Sequence, residues 1–408
     1  MKAELGRNMV ALKQSNRSQI LNILRCLGPT SRKDIAKIMQ LTPAAVTILV
    51  NEMISEGILK EIGQSFEEDK RVGRKKVLID INSNFKYVLG INIETELISI
   101  GIANLKGEVI SSKTIELNYN KTYRETLQEI CSECITLLWK NNIIKEDVLG
   151  VGVGIIGLVD EKEGLSLRAY GLWEEKVPVV KIIEKNIGLK TVLENNVRAL
   201  ALSEIDNSMT EGLNNMLFIK YGPGIGASMI IDGEIYYGSS KTAGELGHTI
   251  IDLNGPKCKC GRNGCLESIA SYKAILKHIK SVFSSNNTPV LYDICDGKEE
   301  KIDFNKVIQA YIIGDKYVME YLDKTIYYFA AGISNAISLF DPQRIVLYGE
   351  AFNNEVFLNK ILSSLVSLNI NKNIDELIYI SKQNNKTNYI GGVSLALREM
   401  FYKVGGII

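Results

Sequence analysis

His248, Cys258, Cys260 and Cys265 fall within one short stretch, residues 248–265, with Glu245 and Glu267 just outside it. Three thiolates and an imidazole make a closed tetrahedral donor set, the kind that holds a structural zinc ion. Gly261 and Gly264 would let the loop fold tightly enough for the sulfurs to converge. Only two histidines occur in the whole chain, so one of them at this spacing is informative. A reduced cysteine loop without metal would have the same spacing. A closed site leaves water no coordination position, so such a zinc shapes its surroundings rather than hydrolysing anything. A second pair, Cys131 and Cys134, lies on an apolar helical stripe with Leu127, Ile130, Ile135 and Leu138, where core packing accounts for it better than redox chemistry.

The chain that positions these groups has 408 residues, too many for one ordinary core. Its 46% hydrophobic and 23% charged composition is that of a water-soluble globular protein. No apolar run approaches the ~20 residues that span a bilayer, and no signal-like apolar region opens the chain. A cytoplasmic protein with no membrane partner is expected, and seven cysteines without a disulfide framework agree.

Charge is unevenly spread. Residues 1–80 hold 14 Lys and Arg against 9 Asp and Glu, a surplus of five positive charges within an overall +1. The rest of the chain is therefore acidic. A basic head on an acidic body points to a polyanion partner for the head alone.

The head carries a matching pattern. Ile20, Ile23, Leu24 and Leu27 share one face of a helix expected from Ser18 to Leu27, which Gly28-Pro29 ends. Ser31 and Asp34 resemble a capping box, and the helix they start turns Ile35, Ile38 and Met39 inward. Thr42-Pro43 supplies a cap and a first-turn proline for a third helix that buries Val46, Leu49, Val50 and Met53. That is a helix-turn-helix. Its third helix presents Ala44, Ala45, Thr47, Ile48 and Asn51 outward, small and polar groups able to approach base edges. Ser31 and Thr42 join them as expected DNA contacts. Two strands, 58–62 and 77–81, read as a wing whose tip carries Arg71, Arg74, Lys75 and Lys76 for phosphate or minor-groove contact. A small helical protein-interaction domain is the competing reading of the same helices.

From Tyr87 the pattern is α/β. Strands are expected at 87–93, 97–104, 108–117 and 149–155, then at 216–220, 227–231, 234–237 and 344–348. Helices are expected around 266–283, 304–313 and 316–340. Two α/β lobes with a cleft between them follow.

Three segments carry a family likeness. "GELGH…CKCGRNGCLE" (244–267), "LENNVRALALSE" (193–204) and "YGPGIGASMIIDGEIYYG" (221–238) resemble the ROK family of sugar kinases and sugar-responsive repressors. The likeness covers about residues 85–400. With a winged helix-turn-helix ahead of it, the chain is similar to the repressor branch, including xylose-repressor-type proteins. The resemblance implies a two-lobed actin-like, sugar-kinase fold with sugar bound between the lobes. It also implies domains at 1–82, 83–200 and 201–389, with a C-terminal helix near 390–404 packing back on the first lobe.

The resemblance places Asn195, Glu245, His248 and Glu267 at the family's sugar-binding positions. Carboxylates and an amide pair well with adjacent sugar hydroxyls. His248 could ligate zinc with one ring nitrogen and offer the other to the sugar. Asn196, also expected at the sugar, stands where the family's kinases carry the aspartate that takes the proton from the attacking hydroxyl. An amide is no base near neutral pH, and losing a general base costs ~10²–10⁴ in rate. Where the kinases have an Asp-x-Gly-Gly-Thr phosphate loop, this chain has Asn92-Ile93-Glu94-Thr95-Glu96. Near the expected adenosine end Tyr348-Gly349-Glu350 replaces a glycine-rich run, and only Gly222-Pro223-Gly224-Ile225-Gly226 survives.

The expectation is a sugar-responsive repressor of carbohydrate-utilisation genes that binds a structural zinc and no ATP. A homodimer, or a dimer of dimers, would bind a palindromic double-stranded operator with recognition helices ~34–36 Å apart. A monosaccharide of the xylose or glucose class would close the lobes and release the DNA. The enzyme alternative is a sugar kinase with an appended DNA-binding head.

Overall fold

The structure is a computed structural model that describes residues 2–64, 77–207, 214–368, 373–383 and 387–407. It divides into two compact units, Met1–Met209 with Lys386–Ile408, and Thr210–Asn385. The helix-turn-helix head and the first α/β sheet therefore belong to one unit, and the division between units falls at 209/210.

The head opens on α1 (Lys2–Leu27), longer than the stretch expected from Ser18. Within the added length Met9, Val10 and Leu12 are exposed, so these residues form no inward apolar stripe for periodicity to register. Strand β1 (Thr30–Ser31) leads to α2 (Arg32–Met39) and α3 (Pro43–Ser55), which are bent by 119° to one another. Gln40, at φ 54°, makes the left-handed turn between them without a glycine. Thr42 Oγ1 accepts from the Ala45 amide at 3.2 Å as the cap of α3. Strands β2 (Leu59–Gln64) and β3 (Val77–Ile81) pair antiparallel, with β1 on the far side of β3. The basic tip at Arg71, Arg74, Lys75 and Lys76 lies outside the described residues.

The first lobe contains β4 (Tyr87–Ile93), β5 (Leu97–Asn104), β6 (Val109–Glu116), α4 (Tyr123–Lys140), β7 (Val148–Ile155), β8 (Leu158–Asp160), β9 (Leu165–Arg168), α5 (Val179–Ile187), β10 (Thr191–Asn195) and α6 (Asn196–Asn207). Its sheet runs β10-β7-β4-β5-β6, parallel on one side of β4 and antiparallel on the other. Cys131 and Cys134 are buried in α4, and burial raises both thiols, Cys131 to about 11. They are core residues. Leu137, not the half-exposed Ile135, completes their stripe.

The second unit contains β11 (Met216–Tyr221), β12 (Ile225–Ile231), β13 (Glu234–Ile235), α7 (Leu266–Ala270), α8 (Tyr272–Val282), α9 (Pro289–Ile294), α10 (Phe304–Ile313), α11 (Lys316–Phe340), β14 (Arg344–Tyr348), α12 (Glu355–Ser367), α13 (Ile374–Leu377) and β15 (Ile378–Ile380). Its sheet runs β13-β12-β11-β14-β15. Taken in chain order, this is the strand arrangement of the first sheet, so one α/β design occurs twice. The helix expected over 266–283 is broken at Ser271, whose hydroxyl caps α8 by accepting from the Ala274 amide at 3.2 Å.

The C-terminal helix (Tyr389–Leu397) returns to the first unit and lies on β4, β7 and α6. Glycine permits this. A Cβ on Gly152 would collide with the Gly392 carbonyl oxygen, and a Cβ on Gly392 with that of Gly152. Val393, Leu397, Met400 and Phe401 then pack in one core with Ile20, Leu24, Val50 and Ile79 of the head. The C-terminal segment is thus the floor on which the helix-turn-helix stands.

Candidate functional site

The four expected metal donors come together. The ligand atoms of His248, Cys258, Cys260 and Cys265 all lie within 4.8 Å of one another. Cys258 Sγ is 3.5 Å from His248 Nδ1, and Cys260 Sγ is 3.6 Å from Cys265 Sγ. Bond lengths of ~2.3 Å to sulfur and ~2.0 Å to nitrogen put neighbouring ligands of a tetrahedral ion ~3.5–3.8 Å apart, so the set fits such an ion. The loop is folded by its backbone. Bridges pair Ile250 with Cys265 and Lys257 with Asn263, and the Cys258 amide donates to Arg262 at 2.7 Å. Gly261 and Gly264 sit at φ 94° and 69°, and a side chain on Gly264 would strike the Asp252 carbonyl.

The thiols differ in proton affinity. Burial, reinforced by hydrogen bonds with Cys260 and Cys258, pushes Cys265 up to about 12, and burial also raises Cys258. Burial opposes ionisation of Cys260 as well. Hydrogen bonds from the Arg262 side chain and backbone, and from the other two thiols, outweigh it and bring Cys260 to about 7. An incoming cation would meet a thiolate first at Cys260 and displace protons from the other two.

His248 faces two ways. Its Nδ1 points into the cysteine set, while Nε2 lies 4.0 Å from Glu245 Oε2. The Glu245 side chain is 45% exposed, so a ligand could reach it. Glu267 is more enclosed. Its Oε2 accepts from the Ile225 amide at 3.0 Å, and its Oε1 pairs with Lys259 Nζ at 3.0 Å. Gly224 leaves the space that this carboxylate occupies. The surviving glycine loop therefore already holds an anion, one supplied by the protein. The Tyr272 ring also lies against Gly222 of that loop.

The carboxylate of Glu94 is also held by the protein's own side chains. Glu94 Oε1 accepts from Asn92 Nδ2 and from Asn388 Nδ2, each at 2.8 Å, and Asn92 is buried. Asn195 and Asn196 stand at the junction of β10 and α6. Asn195 Oδ1 accepts from the Val197 and Arg198 amides at 2.9 and 3.2 Å, capping the helix, and its Nδ2 donates to Gly157 O at 2.8 Å. Asn196 is buried beside β7.

On the head, Thr42, Ala44 and Asn51 are exposed, and Ala45 and Thr47 half-buried, along α3. Ser31 is placed otherwise. It is buried, it accepts from the Asp34 amide at 3.2 Å, and its hydroxyl donates to Asp34 Oδ2 at 2.6 Å. Its polar atom is used as a helix cap, which removes it from the DNA-facing set. Arg32 carries no signal in its spacing, yet its Nη2 donates to Asn51 Oδ1 and to Glu61 Oε1, each at 2.9 Å, tying α3 to the wing. Lys259 was also missed. It lies between two ligand cysteines, where spacing alone says nothing of its partner.

A doubled α/β body with a histidine–cysteine cluster, joined to a winged helix-turn-helix, defines the class, and residues 88–399 match the ROK family model. The chain belongs to the ROK family. The putative xylose repressor of Caldicellulosiruptor sp. (strain Rt8B.4) is 27% identical over 395 residues, covering 96% of this chain and 98% of that protein. The DNA-binding transcriptional dual regulator NagC of Escherichia coli (strain K12) is 25% identical, covering 98% and 96%. Among solved structures, a ROK family transcriptional regulator homologous to the E. coli MLC protein superposes with TM-score 0.74 at 23% identity, covering 97% of this chain and 98% of its own. A ROK glucokinase from Streptomyces griseus, in complex with glucose and AMPPNP, gives TM-score 0.66 at 25% identity and covers 76% of this chain and 99% of its own. The actin-like, two-lobed α/β fold with a winged head is thus the fold of this chain, and these full-length relatives are named as a putative repressor and a transcriptional dual regulator.

Proposed function

We propose that this chain is a sugar-responsive DNA-binding repressor of carbohydrate-utilisation genes that does not phosphorylate its sugar. One observation supports the second half of that statement: in the segment that the resemblance aligns with the kinases' first phosphate loop, the Glu94 carboxylate is held by Asn92 and Asn388. A nucleotide phosphate would meet like charge there. Asn196 in the position of the kinases' base removes the remaining chemistry.

His248, Cys258, Cys260 and Cys265 would hold a zinc ion whose contribution is structural. With Nδ1 engaged there, His248 would keep one tautomer, and its Nε2 and Glu245 would present a matched donor and acceptor to a sugar diol. Glu267, Asn195 and Asn196 are assigned to sugar binding on the family resemblance. The head reads a palindromic operator as a dimer, with Thr42, Ala44, Ala45, Thr47 and Asn51 in the major groove and the basic wing tip on the backbone. Sugar binds better to the conformation that holds DNA poorly, and so releases it. The relatives' names include xylose and N-acetylglucosamine, which leaves the monosaccharide open to a panel.

A thermal-shift screen with pentoses, hexoses and acetamido sugars tests binding, because a bound ligand raises the melting temperature by mass action. The likeness to the S. griseus glucokinase supports a kinase as second reading. An ADP-release assay on whichever sugar stabilises the protein separates the two, and turnover of ~1 s⁻¹ or faster would establish the kinase.

A further inference from the structure

Helix α6 begins at Asn196, and its last turn carries Asp206. Twelve residues at ~1.5 Å each make a rod of ~18 Å. At one end Asn195 caps the helix through its side-chain oxygen, so any shift of Asn195 is passed directly to the helix N-terminus. At the other end three chain segments meet on one carboxylate. Arg398 Nε donates to Asp206 Oδ1 and Oδ2 at 3.0 and 3.1 Å, and its Nη2 donates to Oδ1 at 2.8 Å. Arg25 Nη1 donates to the same Oδ1 at 2.7 Å. The three side chains are only 9–19% exposed.

Arg25 belongs to the DNA-binding head. It lies in the last turn of α1, with its guanidinium 4.6 Å over the Tyr402 ring. Further back along α1, Lys13 pairs with Glu52 at 2.7 Å and Arg17 pairs with Glu56, and both glutamates lie on or at the end of the recognition helix α3. Helix α1 is therefore a strut from Asp206 to the helix expected to read DNA. Other ties between head and lobe bypass α6. Lys106 pairs with Asp80 of β3 at 2.6 Å, and Arg17 Nε of α1 donates to Gly405 O of the C-terminal segment at 2.8 Å.

The arrangement is suited to two states. One enclosed carboxylate serves two guanidiniums, and the fork geometry of arginine tolerates little displacement before a bond is lost. A small movement of α6 would strain the Arg25 bond first, because the C-terminal helix that precedes Arg398 packs on α6 and would move with it. Packed elements respond to such movements in steps rather than by gradual deformation. We infer that Asp206 is the positioning residue that passes the sugar response from α6 to the DNA-binding head. The inference rests on the repressor reading proposed above.

The test uses the full-length protein and the monosaccharide identified by the thermal-shift panel. Operator affinity is measured with and without saturating sugar for the wild type, Asp206→Asn, Arg25→Lys and Lys106→Met, alongside sugar affinity and melting temperature. The wild type should show a ratio of roughly 5- to 150-fold. Asp206→Asn should bring that ratio to within about twofold of one while leaving sugar affinity unchanged, and Lys106→Met should keep it even if melting drops. Arg25→Lys leaves the Asp206–Arg398 pair in place and should also lose most of the ratio, which covers the case of an Asp206 variant that fails to fold. A full ratio in Arg25→Lys or Asp206→Asn overturns the inference. So does equal loss in Lys106→Met, which would show only general loosening of the head. A wild type without any sugar response instead overturns the repressor reading itself, a distinguishable result.

Discussion

His248 Nε2 stands 4.0 Å from Glu245 Oε2 while the other ring nitrogen of His248 faces the cysteine set. One imidazole thus joins a metal-type cluster to a carboxylate open to solvent. The His248 amide also donates to the Glu245 carbonyl at 3.0 Å, so one backbone turn frames both side chains.

If that frame depends on the metal, Cys260→Ser should lower bound zinc and sugar affinity together, the latter by ~10- to 100-fold. Metal analysis and calorimetric titration of the same preparation would show it. Full sugar affinity in a zinc-depleted variant would separate the loop from the pocket.

Asn51 is exposed on α3 and oriented by Arg32. Asn51→Ala should weaken operator binding by about 1–3 kcal/mol and leave binding to unrelated DNA unchanged. Fluorescence anisotropy with both duplexes distinguishes a base contact from a lost fold, which would reduce both.

The C-terminal helix touches β7 backbone to backbone at Gly152 and Gly392. Gly152→Ala should therefore lower stability by about 1–3 kcal/mol or more, since the colliding atom is a main-chain oxygen that no rotamer can move. An unchanged melting temperature would mean the helix is not seated this way.

Acid should loosen the head. The hydrogen bond from Arg17 is the largest influence on Glu56; burial opposes it, attraction to Arg17 and Lys13 assists, and the carboxyl ends below the usual glutamate range. A depressed folded-state pKa means the pair stabilises the head above the ordinary value of ~4.3 and is lost as pH falls through the lower folded value. The glutamate is 43% exposed, so the effect is screened and modest. Glu56→Gln should lower stability modestly at neutral pH and converge on the wild type in acid, which flattens the acid limb of the melting-temperature profile.

Much of this was legible in the sequence where one residue type has one physical use. The donor spacing of His248 and three cysteines, the Thr42-Pro43 start of α3, and the alternating strands of both lobes are of that kind. Helices Phe304–Ile313 and Lys316–Phe340 fall where periodicity puts them, each opened by an aspartate cap. What was not legible depends on contacts across long separations. The Glu94 carboxylate is held by Asn388 from the other end of the chain, and Glu267 by an amide in the glycine loop. Ser31 reads equally well as cap or DNA contact until its burial is known. The doubled sheet leaves no sequence period, because the two copies share strand order and not residues.

The central claim is that one chain couples a sugar to DNA without chemistry. Its most direct test is the operator dissociation constant of the full-length protein, measured with and without the monosaccharide that stabilises it, at fixed salt. The account predicts a roughly 5- to 150-fold weaker grip on the operator when sugar saturates, with no nucleotide present. An operator affinity that does not change with any stabilising sugar would contradict it.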